Sequence, residues 1–181
     1  MSLRKKRFKL AACTVGAVAA ATLALATTPA VASGTYSGLA YVYGGDSYVD
    51  DWGNEGILST GTNTNSNATC LWQKILWADG FLDSASDIDG KFGSGTKAAT
   101  EDLQRYFALG VDGSVGQETF GHMDKWLYFV SGSTADGQTA NLRYDGIVRD
   151  FNLGRNADGN YTFPDGDGNT RLAGYNYLTC T

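Results

Sequence analysis

The chain has 181 residues, with 14 basic and 19 acidic side chains and a single histidine. Five of the basic residues, Arg4, Lys5, Lys6, Arg7 and Lys9, fall in residues 1–32 and no acidic residue does. Residues 33–181 therefore carry nine basic against nineteen acidic side chains, a net charge of −10. A body this acidic is a poor partner for nucleic acid, anionic lipid or other polyanions.

The basic N-terminus leads into an apolar, alanine-rich run, Leu10 to Ala26, and then Ala30-Val31-Ala32. This order is that of a bacterial secretion signal cleaved after Ala32. Leu10-Ala11-Ala12-Cys13 is not a lipoprotein box, because the apolar run follows the cysteine instead of preceding it. No later run approaches the roughly 20 apolar residues of a membrane span, so the remainder is expected to be extracellular, free or associated with the cell wall, with no membrane contact. It keeps two cysteines, Cys70 and Cys180. In a secreted chain an even pair reads as a disulfide; two unpaired thiols or an intermolecular link are the alternatives.

Residues 33–65 are rich in Gly, Tyr, Ser, Thr and Asn and read as an extended N-terminal arm. Leu39–Tyr43 has the composition of a strand, Asp50–Gly56 that of a loop, and Ser59–Asn67 that of a polar linker. Tyr36, Tyr41, Tyr43 and Tyr48, with few charges among them, suit strand addition to the sheet edge of a partner. The competing expectation is that the arm packs on its own chain.

Residues 66–130 read as a helical module. One phrase occurs twice in it, 23 residues apart: Asp89-Gly90-Lys91-Phe92-Gly93-Ser94-Gly95-Thr96 and Asp112-Gly113-Ser114-Val115-Gly116-Gln117-Glu118-Thr119. Asp-Gly predicts a tight turn. Phe92 or Val115 then points inward, and the Thr falls in the first turn of a helix, where its hydroxyl can lock the preceding loop. Apolar residues recur at helical spacing at Thr69, Trp72, Leu76 and Phe81, at Ala99, Leu103, Tyr106 and Phe107, and at Phe120, Met123 and Leu127. Three short helices and two glycine-rich turns follow.

Residues 131–181 read as a C-terminal extension of antiparallel hairpins. Leu142–Tyr144, Ile147–Leu153, Tyr161–Phe163 and Thr170–Tyr177 are rich in strand formers, and turn residues such as Asn156–Asn160 separate them. The fold class expected is α+β.

The repeat carries a family resemblance. Trp72-Gln73-x-x-Leu76, the first Asp-Gly phrase with Ala99, Leu103-Gln104, Ala108-Leu109 and the second phrase with Met123 run without a gap from Asp89 onward. This segment, about residues 66–127, resembles the peptidoglycan-binding-like domain of bacterial wall hydrolases. The resemblance implies a three-helix pseudo-repeat that holds a partner domain against the cell wall. No hydrolase pattern accompanies it here.

Catalytic chemistry finds few parts. His122 is the sole histidine, where a zinc hydrolase needs two or three with a carboxylate, and it would have to serve any Ser or Cys triad. Asp87-x-Asp89-Gly90 lacks calcium-loop ligands at its first and twelfth positions, and Asp165-Gly166-Asp167-Gly168-Asn169 has Thr170 where the loop needs Gly, so both read as turns. No metal, no cofactor and no enzyme activity is expected. Candidate ligand-binding aromatics are Trp77, Tyr106, Trp126 and Tyr128, whose rings suit sugar faces or protein hot spots. Two functions stand: a non-enzymatic module recognising peptidoglycan glycan or stem peptide beside the two turns, and an adaptor for a protein partner in a secreted assembly such as an antibacterial toxin, using the tyrosine-rich arm and the helical face.

Overall fold

A computed structural model describes residues 34–180. The secretion signal and its cleavage after Ala32 lie outside the described residues. Three helices, α1 (Asn67–Ala78), α2 (Ser94–Tyr106) and α3 (Gln117–Met123), precede a five-stranded sheet of β1 (Leu127–Gly132), β2 (Ala140–Asp145), β3 (Asp150–Arg155), β4 (Tyr161–Pro164) and β5 (Thr170–Leu172). The sheet is an antiparallel meander in the order β1-β2-β3-β4-β5. The fold is α+β. Among the described residues no helix is long and apolar enough to cross a membrane.

Helix α1 is the centre. Ser66 caps it, its hydroxyl accepting from the Thr69 N–H at 3.0 Å. Every residue of α1 except Trp77 is buried. A single apolar stripe describes a surface helix, whereas α1 has the turns and α2 on one side and the sheet on the other, so it is covered all round. The inward residues of the sheet alternate along the strands as a half-buried pleat requires: Leu142 and Tyr144 on β2, Phe151 and Leu153 on β3, Tyr161 and Phe163 on β4.

The helical pattern through Leu127 ends earlier than its spacing suggests. Helix α3 stops at Met123, a 3-10 turn covers Asp124–Trp126, and Leu127 opens β1. The run Leu127-Tyr128-Phe129-Val130 is aromatic and β-branched and pairs with β2 as a strand.

The arm does not project. Val42 donates to the Ala173 carbonyl and accepts from the Tyr161 N–H, both at 2.9 Å, and the Gly44 N–H bonds the Gly159 carbonyl. Tyr41 and Tyr43 form bridges with Gly174 and Asn160. Packing on its own chain is therefore what the arm does, and the backbone of residues 41–43 is not available for strand addition to a partner. Further along, Leu58 pairs with Val115 and Asn65 with Lys91, so the polar linker runs past both Asp-Gly turns.

The stretch Asp50–Gly56, read as a loop, is a loop that carries core. Trp52 is fully buried, its ring 5.4 Å from Phe120 of α3, 6.3 Å from Tyr144 and 5.5 Å from Tyr161. Gly121 of α3 lies backbone to backbone with Gly53, where an added Cβ would come within 2.8 Å of the Gly53 Cα. Asp51 pairs with buried Arg155 at 3.0 Å and accepts from the Tyr161 hydroxyl. At the far end Cys70 and Cys180 form a disulfide. Asn67 adds a second clasp there, accepting from the N–H groups of Thr179 and Cys180. One hydrophobic core thus draws on the arm, the helices and the sheet together.

Glu55 is fully buried, accepting from the Tyr175 hydroxyl at 2.6 Å and the Tyr43 N–H at 3.0 Å. Burial outweighs these bonds and pushes its carboxyl up from the ordinary 4.5 to about 7. Between those values the folded chain holds a proton that the unfolded chain has lost. Stability therefore falls as pH rises through that window, on the order of 3 kcal/mol from this group. Burial also raises Asp124, to about 6, with the same sign. Urea unfolding is expected to show greater stability at pH 5 than at pH 8, with Glu55→Gln flattening the difference.

Candidate functional site

Each Asp-Gly turn is built around a glutamine from the preceding helix. Gln104 is fully buried at the end of α2. Its Oε1 accepts from the backbone N–H groups of Asp112 and Gly113 at 3.1 and 2.9 Å. Its Nε2 donates to Asp112 Oδ1, the Ser114 carbonyl and Thr119 Oγ1 at 2.9–3.1 Å. Gln73 on α1 repeats the pattern: Oε1 accepts from the Gly90 N–H at 2.7 Å, and Nε2 donates to Asp89 Oδ1, the Lys91 carbonyl and Thr96 Oγ1 at 3.0–3.1 Å. Asp89 and Asp112 also accept from the N–H two residues on, at 2.9 and 2.8 Å. Gly90 and Gly113 both stand at φ +70°, a conformation that strains any residue with a Cβ.

The two phrases are therefore two copies of one polar knot. Asp, Gly and Thr are consumed in closing the turn and starting the next helix, while Phe92 and Val115 plug the core beneath. Sequence reasoning gave Gln73 and Gln104 no role. Their signal was present, because an apolar residue followed by Gln, Trp72-Gln73 and Leu103-Gln104, precedes each copy.

A groove opens beside each knot. The first, about 300 Å³, runs along the start of α2 and is lined by Lys91, Asp87, Asp89, Ser86, Ser94 and Leu82, among others. It offers one cation, two carboxylates and hydroxyls. The second, about 510 Å³, runs along the start of α3 and is lined by Val111, Asp112, Gln117, Glu118 and, from the arm, Tyr36. Tyr36 is 53% exposed and Val111 48%. This groove offers an apolar wall, a phenol and an acid. Between them the grooves can meet amine, carboxylate, amide and sugar groups.

The candidate aromatics separate. Tyr106 and Trp126 come together in a ladder of rings in which Phe81 meets Tyr106, Tyr106 meets Phe107, and Phe107 meets both His122 and Trp126, with centroids 4.9–5.8 Å apart. Burial, then the nearby Lys125, lowers the pKa of His122, whose Nδ1 lies 3.4 Å from the Lys125 ammonium. Tyr106 is the most exposed ring of the ladder. Trp77 lies apart and half-buried. Lys74 and Arg149 sit over its ring at 4.6 and 4.8 Å, and Arg149 also donates to its carbonyl. Its π face is already engaged. Tyr128 lies on β1, under Arg143 at 5.9 Å. Of the arm tyrosines, Tyr36 lines the groove at the second repeated turn, and Tyr43 lines a separate cavity of about 250 Å³ at the Asn156–Gly159 turn. Tyr41 packs edge-on against Tyr177, and Tyr48 against Phe129.

The acidic runs are turns. Asp87 closes the capping box of a 3-10 turn at Ala85–Asp87. Asp165 accepts from the N–H groups of Asp167 and Asn169 and from Arg171 Nε.

Residues 65–123 match the family model described as "Putative peptidoglycan binding domain". The match spans all three helices and both knots and stops at the residue where α3 ends. The chain carries a peptidoglycan-binding-like domain in this segment, embedded between an arm and a sheet that the family model does not cover. No curated protein and no solved structure matches the chain significantly.

Proposed function

We propose that this is a secreted, non-enzymatic protein that binds cell-wall peptidoglycan in the grooves beside its two Asp-Gly turns. The observation that carries the reading is the coincidence of the family match with the segment holding both grooves. The wider groove is the favoured seat, because the arm adds an exposed tyrosine to it. A stem peptide presents methyl, amide, amine and carboxylate groups in close order. Val111 and the Tyr36 ring suit the methyls, and Glu118 suits an amine. With a net charge of −10, adhesion to anionic wall polymers through charge is unfavourable, so hydrogen bonds and ring contacts carry recognition.

The test is sedimentation of residues 33–181 with insoluble peptidoglycan stripped of its polyanions. Saturable binding is expected, and Tyr36→Ala should weaken it about tenfold, the loss of one exposed aromatic anchor. Tyr36 lies outside the core, so the variant keeps its fold. Absence of sedimentation overturns the reading; binding unaffected by Tyr36→Ala moves the site to the first groove or to the aromatic ladder.

A further inference from the structure

The sheet has two edges, and the fold treats them differently. The β5 side is covered, since Val42 of the arm bonds Ala173 just past β5 and Tyr41 bridges Gly174. The β1 side is open: among the described residues β1 pairs only with β2. Of its six residues only Leu127 is buried. Tyr128, Phe129 and Val130 are 47%, 43% and 57% exposed. Successive strand residues point to opposite faces, so three exposed in a row leave both faces of the edge uncovered.

The sequence of β1, Leu-Tyr-Phe-Val-Ser-Gly, contains no charge and no proline. Those are the residues by which native edges repel a further strand. The one protective device present is a bulge between Phe129 and Ser131. An open apolar edge of this kind is a template for one more strand.

The surrounding charge selects the occupant. Tyr48 of the arm packs against Phe129, which brings exposed Asp46 and Asp50 to this edge. Arg155 binds the carbonyls of both Ser47 and Thr134, holding the arm beside the β1–β2 connection, where Asp136 is exposed. None of Asp46, Asp50 and Asp136 forms a salt bridge among the described residues. A second copy would set another body of charge −10 against the same acidic flank.

We propose that β1 is a docking edge for an extended, lysine- or arginine-bearing segment of a partner protein, which adds as a sixth strand. Its main chain bonds β1, its apolar side chains cover Tyr128, Phe129 and Val130, and its cations meet Asp46, Asp50 and Asp136. This surface lies outside both turn grooves and is independent of wall binding.

The experiment uses residues 33–181 with two synthetic strand peptides, one alternating valine with lysine, the other valine with glutamate. Amide hydrogen exchange of the protein is followed with each, and its mass in solution is measured by sedimentation equilibrium. The expected protein is monomeric, and the lysine peptide slows exchange in 127–132 by about fivefold or more, as main-chain pairing requires. The glutamate peptide gives no protection, and higher salt weakens the lysine peptide's effect. Phe129→Lys is expected to abolish protection with exchange in β2 and β3 unchanged, and Asp46→Asn with Asp136→Asn to reduce it without altering the edge. Equal protection by both peptides, protection elsewhere, or none overturns the proposal. A concentration-dependent dimer that protects 127–132 also overturns it, by giving the edge to a second copy.

Discussion

Gln104→Ala is expected to destabilise the protein by about 3–5 kcal/mol, although it removes no charge and little apolar surface. The amide of Gln104 satisfies two backbone N–H groups, one carbonyl and two side-chain oxygens of the second turn. Truncation strands the buried Gly113 N–H and Thr119 hydroxyl, each costing about 1–3 kcal/mol, while the partners on exposed Asp112 and half-buried Ser114 can turn to water. It also leaves a small cavity. Gln104→Glu should do nearly as badly. It keeps the acceptors for Asp112 and Gly113 but sets a second carboxylate against Asp112 Oδ1, now 3.1 Å from Nε2. Urea unfolding followed by circular dichroism measures both. A loss below about 1 kcal/mol for Gln104→Ala, the scale of an ordinary surface change, would show that water replaces the amide and that the knot is not what holds the turn. Gln73→Ala should behave alike, since Gln73 makes the matching bonds in the first turn.

The other large effect is expected at Trp52. Its ring touches α3 through Phe120, β2 through Tyr144 and β4 through Tyr161, so one side chain of the arm joins the family-matched helices to the sheet. Trp52→Ala should cost about 3–5 kcal/mol, the range for a large aromatic removed from a packed core. Trp52→Phe should cost clearly less. It keeps most ring contact and deletes an indole N–H that has no partner among the described residues. The readout that tests the architectural claim is hydrogen exchange in the two variants. If arm, helices and sheet form one cooperative body, Trp52→Ala accelerates exchange in all three together. Acceleration confined to residues 40–58 would instead mean that the arm is an appendage on a module that stands without it.

Much of this molecule is local, and the local part was legible. The two Asp-Gly phrases predict turns because Asp bonds the N–H two residues ahead and Gly accepts positive φ, and both occur at φ +70°. The hairpins of the C-terminal region are separated by turn residues and alternate in polarity, which is enough to predict an antiparallel meander. The chemistry of α1 was less legible. Gln73 lies 16 residues before Asp89 and Gln104 eight before Asp112, so no fixed spacing marks the shared role, and a buried glutamine looks like a solvated one until its partners are placed. The aromatics were legible as a set but not as a surface. Trp77 meets cations at positions 74 and 149, and only folding brings Arg149 to it.

The arm shows the same division most sharply. Tyrosines and glycines with few charges specify an extended chain that seeks an edge to pair with; whether the edge is its own or another protein's is not a local property. In the folded chain the edge beyond β5 takes it, because Val42 can bond Ala173 and Tyr161 while Trp52 fills the core. By itself the sequence determined the class, three helices on two glycine-rich turns followed by an antiparallel meander, because turn chemistry and apolar period act over a few residues. Tertiary structure alone decided which rings are exposed, that Gln73 and Gln104 lock the turns, that the arm belongs to the core, and that β1 is the edge left open. Each of these depends on contacts between residues far apart in the chain, where only packing sets the distance.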